Sequence, residues 1–166
     1  LQNSTFINNV LDSLNDEKSF LYIYMNEKQP EITDVIFESN DFNTFHIEFN
    51  RGEIAFNKCT FRNYLKSQVF DSSGIQFKEC SFTGNGLEST NVPLLLTTSY
   101  MFTFEGCIFS ENKKGTVEIS GNAEANFNNC NFENNEIDSD GAAIRVISSQ
   151  RSITFNGCTF KQNKAS

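Results

Sequence analysis

Phe127-Asn-Asn-Cys-Asn-Phe-Glu-Asn-Asn135 carries a pattern, F-x-x-C-x-F-x-x-N, that returns along the chain. Copies start at Phe56 (Cys59, Phe61), Phe77 (Cys80, Phe82, Asn85), Phe104 (Cys107, Phe109, Asn112) and Phe155 (Cys158, Phe160, Asn163). Two looser copies lie nearer the amino terminus. Phe37-Glu-Ser-Asn40-Asp-Phe42 has Asn at the cysteine position, and Leu1-Gln-Asn-Ser4-Thr-Phe6-Ile-Asn-Asn9 has Leu and Ser. All five cysteines occupy one motif position and lie 21, 27, 23 and 28 residues apart. That is repeat spacing; a C-x-x-C zinc or redox pair and a small secreted disulfide framework would look different.

Within each copy the alternation is that of short strands. Ile153 and Phe155 point to one face, as do Cys158 and Phe160, with the corner Asn156-Gly157 between them. Equivalent corners are Asn57-Lys58, Lys78-Glu79, Glu105-Gly106 and Asn128-Asn129, rich in residues that tolerate a left-handed bend. A third apolar strand follows at Phe45 to Phe49, Ser67 to Val69, Leu94 to Thr97, Val117 to Ile119 and Ala142 to Val146. Three short strands per copy and no helical period describe one coil of a parallel β-helix. The fold class expected is therefore all-β, a single-stranded parallel β-helix of about seven coils, roughly 30 Å long at ~4.8 Å per coil. Its irregular repeat length favours a right-handed solenoid over a left-handed one with strict hexapeptides.

The repeated residues are expected to form a structural ladder. Its members are Cys59, Cys80, Cys107, Cys130 and Cys158, then Phe61, Phe82, Phe109, Phe132 and Phe160, then Asn85, Asn112, Asn135 and Asn163. The cysteines read as small buried residues stacked from coil to coil as free thiols. The asparagines, with Asn9 included and Tyr64 and Phe45 interrupting, read as amides bonding one another and the turn backbone. Phe37, Phe56, Phe77, Phe104, Phe127 and Phe155 form one ring stack, and Phe6 and Phe42 join the other. The chain reads as one domain over 1–166, a segment of a longer solenoid beginning at Leu1 rather than Met. An irregular insertion is expected over 10–34, between the first and second coils. Loops at Gly84 to Asn91 and Glu136 to Asp140 are expected to project.

A net charge of −8, with 13 Lys and Arg in no dense run, argues against nucleic acid and anionic membrane as partners. No apolar stretch approaches the ~20 residues of a membrane span. A catalytic set would lie on the outward positions: Ile36, Ala55, Gln76, Thr103, Asn126 and Thr154 on one strand, and Thr5, Asp41, Thr60, Ser81, Ile108, Asn131 and Thr159 on the next. They hold one carboxylate, not the pair that glycoside hydrolysis uses. His46, Glu48, Glu118 and Arg145 sit on the third strand, on separated coils. Asp138-Ser-Asp140-Gly141 lacks most ligands of a calcium loop, and no metal or cofactor is expected. Asn3-Ser4-Thr5 is the glycosylation sequon, with Ser4 expected inward.

The F-x-x-N tetrapeptides, from Phe6 to Asn9 through Phe160 to Asn163, and Gly141-Ala-Ala-Ile144 resemble the repeats of chlamydial polymorphic outer membrane proteins. Similar right-handed pectin-lyase-like repeats occur in surface proteins of unicellular eukaryotes. The resemblance implies a cell-surface or extracellular setting and non-enzymatic structural or adhesive work. The competing expectation is a carbohydrate-binding or polysaccharide-cleaving module. Expected partners are neighbouring coils of a longer chain, other copies of this chain and surface glycans, with no nucleic acid and no membrane insertion.

Overall fold

The coils are shaped by corners at which the backbone enters the left-handed region, seven of one kind and five of another among the described residues. The first lies just before the cysteine position, at Asn3, Asp34, Lys58, Glu79, Gly106, Asn129 and Gly157, with φ between 48° and 62°. The second lies just before the asparagine position, at Asn63, Gly84, Glu111, Asn134 and Gln162, with φ between 53° and 65°. Lys58, Glu79 and Glu111 have no side-chain preference for this conformation, which costs an ordinary L-residue roughly 1–2 kcal/mol. Ladders on either side of the corner hold it there.

The computed structural model describes residues 1–7, 21–25, 31–38, 44–49, 53–64, 68–71, 74–86, 94–96, 101–147 and 151–166. Strands are numbered in chain order. The first sheet has seven strands: β1 (Thr5–Ile7), β4 (Ile36–Glu38), β7 (Thr60–Arg62), β10 (Ser81–Thr83), β13 (Ile108–Ser110), β16 (Asn131–Glu133) and β20 (Thr159–Lys161). The second has six: β2 (Leu21–Met25), β5 (Thr44–Phe49), β8 (Gln68–Asp71), β11 (Leu94–Leu96), β14 (Val117–Ser120) and β18 (Ile144–Ile147). The third also has six: β3 (Glu31–Thr33), β6 (Ile54–Asn57), β9 (Ile75–Lys78), β12 (Met101–Glu105), β15 (Glu124–Asn128) and β19 (Ile153–Asn156). A two-stranded ladder of β17 (Glu136–Ile137) and β21 (Lys164–Ala165) follows the second corner. Successive strands visit the first, second and third sheets in rotation, and every pairing is parallel. This is an all-β parallel β-helix.

Two aromatic columns fill the interior. Phe6, Phe37, Phe61, Phe82, Phe109, Phe132 and Phe160 stack with centroids 4.6–5.4 Å apart and planes within 10°. Phe56, Phe77, Phe104, Phe127 and Phe155 stack at 4.7–5.2 Å. The columns meet edge to face, as between Phe104 and Phe109 at 5.6 Å and 62°. Both arrangements suit the ring quadrupole, and each fully buried ring removes ~150 Å² or more from water.

The structure corrects the second copy. Phe37 pairs with Phe6 and Phe61, so it belongs to the column after the cysteine, not before it. Val35 then stands at the cysteine position and Ile32, opposite Phe56, at the first aromatic position. Asn40 and Phe42, read from sequence as the cysteine-position and second aromatic residues of that copy, lie outside the described residues. The signal for the correct alignment was Phe37-Glu-Ser-Asn40, itself an F-x-x-N tetrapeptide. The 10–34 region, expected to be an irregular insertion, supplies β2 and β3, both in register with their sheets. Of the two expected loops, Glu136 to Asp140 begins with β17, and the part of the other that is described ends at Gly86.

Gly141 opens the Gly-Ala-Ala-Ile segment at φ 87°. A Cβ there would stand 2.7 Å from Arg145 Cβ and 3.0 Å from the Ile144 carbonyl oxygen. Only glycine lets the chain turn this tightly into β18.

Candidate functional site

The cysteines and asparagines are occupied by the fold. Each thiol donates toward a carbonyl of the preceding coil: Cys59 to Ile32 at 3.3 Å, Cys80 to Phe56 at 3.2 Å, Cys107 to Phe77 at 3.3 Å, Cys130 to Phe104 at 3.6 Å and Cys158 to Phe127 at 3.3 Å. All five are free, four buried and Cys158 half-buried. A hydrogen bond from Cys80 lowers the Cys59 thiol against the opposing effect of burial. Bonding with Cys107 lowers Cys80, but bonding with Cys59 and burial outweigh it and push Cys80 up to about 12. For Cys107 the bond with Cys130 lowers the value, and Cys80 and burial carry it upward overall. The bond with Cys107 and burial raise Cys130, and burial raises Cys158. Four of the five are thus held as protonated thiols, a poor state for nucleophilic or metal chemistry.

The asparagine row is a directional ladder. Asn85 donates through its backbone N–H and its Nδ2 to Asn112 Oδ1, both at 3.0 Å. Asn112 does the same to Asn135 at 3.1 and 2.9 Å, and Asn135 to Asn163 at 3.2 and 2.8 Å. Each Nδ2 also donates to the carbonyl of the phenylalanine one coil back: Phe61, Phe82, Phe109 and Phe132. Tyr64 takes the asparagine position in its coil, fully buried, and its N–H donates to Asn85 Oδ1 at 3.1 Å. Phe45 lies in β5 of the second sheet, away from this row, and Asn9 lies outside the described residues.

What varies between coils lies outside. The register correction changes two outward rows. On the third sheet Glu31, not Ile36, stands beside Ala55. On the first sheet Ile36, not Asp41, stands between Thr5 and Thr60. The first sheet's outer column is therefore Thr5, Ile36, Thr60, Ser81, Ile108, Asn131 and Thr159, with no charged member. Its second outer column places Thr83 and Ser110 between charged flanks. Ser81 and Thr83 hydroxyls lie 2.9 Å apart, and Thr83 and Ser110 3.1 Å. Below them Arg62 pairs with Glu38 at 2.7 Å.

A polar groove of about 350 Å³ lies at the first corner, lined by Glu31, Thr33, Asn57, Lys58, Lys78 and Glu79. Asn57 Nδ2 donates to Glu31 Oε1 there. Sequence alignment missed this groove because it placed Glu31 inside the irregular region. Of the remaining sequence candidates, expected on separated coils, the structure brings Glu118 and Arg145 together on adjacent ones. Glu118 bonds Arg145 at 3.3 Å on the second sheet, where His46 lies in backbone register with Tyr22 and Asp71. Asp138 is exposed, and a hydrogen bond from Lys114 Nζ at 2.9 Å, with the lysine's charge, holds its carboxyl below the ordinary range. Among the described residues no three His, Cys, Asp or Glu side chains converge to hold a metal ion. Nor, among the described residues, is any helix long and apolar enough to cross a membrane. In the sequon Asn3 and Thr5 are exposed, and Ser4, its middle residue, is half-buried.

Phe155 and Phe160 are 42% and 51% exposed, where their counterparts one coil earlier, Phe127 and Phe132, are fully covered. A family model described as "Right handed beta helix region" matches residues 1–160, and the chain belongs to that family. No curated protein and no solved structure matches it.

Proposed function

We propose that this right-handed β-helix is a non-enzymatic structural or adhesive rod of the cell surface or extracellular space, with the outer face of its first sheet as the contact surface. The observation that carries the reading is the uncharged outer column of that sheet. On a chain of net charge −8, a strip through seven coils holds only Thr, Ser, Asn and Ile, with Ile108 41% exposed. A flat hydroxyl-and-methyl strip free of charge presents little desolvation cost to a partner. The residues common to all coils are spent on register, which fits a scaffold whose specificity lies on its faces. Resemblance to chlamydial polymorphic outer membrane protein repeats and to surface proteins of unicellular eukaryotes supports the location.

The test is retention of the fluorescent chain on cell surfaces and immobilised extracellular-matrix proteins. Ile108→Glu and Ser81→Glu should each reduce retention at least fivefold with an unchanged circular dichroism spectrum. Equal retention by both variants would remove the first sheet from the reading.

One observation favours a second reading, a carbohydrate-binding or carbohydrate-cleaving module. The corner groove sets Glu31 and Glu79 among Lys58 and Lys78, the polar mixture a charged glycan would meet. A glycan array and a lyase assay separate the two. Binding or cleavage abolished by Lys58→Ala would favour the second.

A further inference from the structure

We infer that the outer face of the first sheet binds the same face of a second copy of this chain, with the two rods antiparallel, as a closed two-fold dimer. The inference rests on the reading of that face as a contact surface and names its partner. Its basis is the second outer column, which runs Glu38, Arg62, Thr83, Ser110, Glu133, Lys161 from the second coil to the seventh in unbroken register. In charge the order is minus, plus, two hydroxyls, minus, plus. Laid against its own reverse, the column sets every charge opposite its counter-charge and hydroxyl opposite hydroxyl. Glu38 faces Lys161, Arg62 faces Glu133 and Thr83 faces Ser110, each twice by symmetry.

A two-fold axis lying in the interface along the strand direction produces this match. It reverses the order of coils and keeps each column over its own counterpart, so the uncharged column of Thr, Ser, Asn and Ile covers itself. A two-fold axis along the rod would lay the charged column over the uncharged one and desolvate its charges without new partners. Pairing within one copy does not account for the order. Arg62 holds Glu38 at 2.7 Å, and Lys161 lies beside Glu133 in register. Those contacts would be the same if one of the two pairs ran cation first, but the reversed strip would then set Glu against Glu and cation against cation. Charged corner residues beside the strip also meet uncharged ones, as Glu79 opposite Gly106 and Glu111 opposite Gly84. The strip is six coils long at ~4.8 Å per coil and one three-residue strand wide, on the order of 300 Å² per copy. A standard interface covers about 800 Å² on each side, so the dimer is weak and its charges decide whether it forms. Isologous contact closes after two copies.

Sedimentation equilibrium at low salt should show mass rising with concentration to that of two copies and no further. Raising salt from about 0.05 M to about 0.5 M should weaken the dimer about tenfold. Arg62→Glu and Glu133→Lys, each folded by circular dichroism, should weaken it about tenfold, and the two together should restore it. The combination separates this contact from pairing within one copy, because it leaves like charges side by side along each rod and opposite charges only across the interface. On the unmodified chain a zero-length carbodiimide should join Glu38 of one copy to Lys161 of the other. Within one copy those residues lie five coils, about 24 Å, apart and out of its reach. A chain still monomeric at millimolar concentration and low salt overturns the inference. So do a double variant no tighter than either single one, growth past two copies, or Lys161 links confined to Glu133. Retention on cells by a strictly monomeric chain ends this inference and leaves the first sheet as a contact surface. A dimer that meets these tests without retention on any surface ends the adhesive reading and spares this one.

Discussion

Asn112 sits mid-ladder, 1% exposed, and is the place to measure what the amides contribute. Replacing it with Leu, which has nearly the same shape, removes four hydrogen bonds. Its Oδ1 no longer accepts from Asn85 N–H and Nδ2, and its Nδ2 no longer donates to Phe82 O and Asn135 Oδ1. The Asn85 N–H is left without an acceptor at a residue only 1% exposed. An orphaned buried donor costs about 1–3 kcal/mol, and each further lost bond about 0.5–1.5 kcal/mol net. Allowing for the apolar gain of the leucine, the loss should be roughly 3–5 kcal/mol. Asn163→Leu breaks the corresponding bonds at the half-buried rim, where water can replace them, and should cost about 1 kcal/mol or less. Urea unfolding followed by far-UV circular dichroism measures both. The reasoning fails if Asn112→Leu costs under about 1 kcal/mol, or if the two variants are equally destabilised. Asn112→Asp gives a sign check. Its carboxylate faces two former acceptors, Phe82 O and Asn135 Oδ1, so it should regain stability as acid restores a donor.

Other outcomes are expected from the same geometry. Phe109→Ala, fully buried between Phe82 and Phe132, should cost about 3–5 kcal/mol, and Phe160→Ala, half exposed, much less; thermal unfolding compares them. In a thiol titration with a colorimetric disulfide reagent, Cys158 should react first, the four buried cysteines slowly, and all five only after unfolding. Because the folded Cys80 value, about 12, lies above the ordinary 9.0, its contribution is fully present below pH 9. It is lost as pH rises from 9 through 12, at roughly 1 kcal/mol per pH unit, and Cys80→Ala should flatten that slope in alkaline unfolding curves. Gly157→Ala, at φ 62° and against Asn129 Oδ1, should destabilise, whereas Lys58→Gly at φ 52° should be neutral or stabilising.

The fold was legible in the sequence because its core positions are chemically narrow. A column of rings 4.6–5.4 Å apart tolerates little but Phe, so the pattern repeats visibly. The second coil was misaligned where that narrowness relaxes: Ile32 and Val35 fill the same inward places as Phe56 and Cys59 with ordinary β-branched residues. The outer faces were legible only through the register, so one misplaced coil put Asp41 in an outer column that holds no charge. The corner groove depends on Glu31 at the start of β3 and Glu79 at a corner two coils on lining one surface, which composition and spacing do not record. The loop ends that connect the strands obey no repeat, and nothing in their sequence states where they point.

The parallel register has a consequence for how the chain reaches this shape. The hydrogen bonds that tie the coils together join residues 20 to 32 apart in sequence, for example Lys58 to Lys78 and Leu1 to Thr33. No coil needs a distant part of the chain to form. Loop-closure entropy is then nearly the same at every step, and lengthening a connection adds only a logarithmic cost, about 0.6 kcal/mol per doubling. Folding can advance as a front, each finished coil templating the next while synthesis proceeds. The same property lets such a molecule gain or lose a coil, or accept an insertion between strands, without renegotiating the rest of its core.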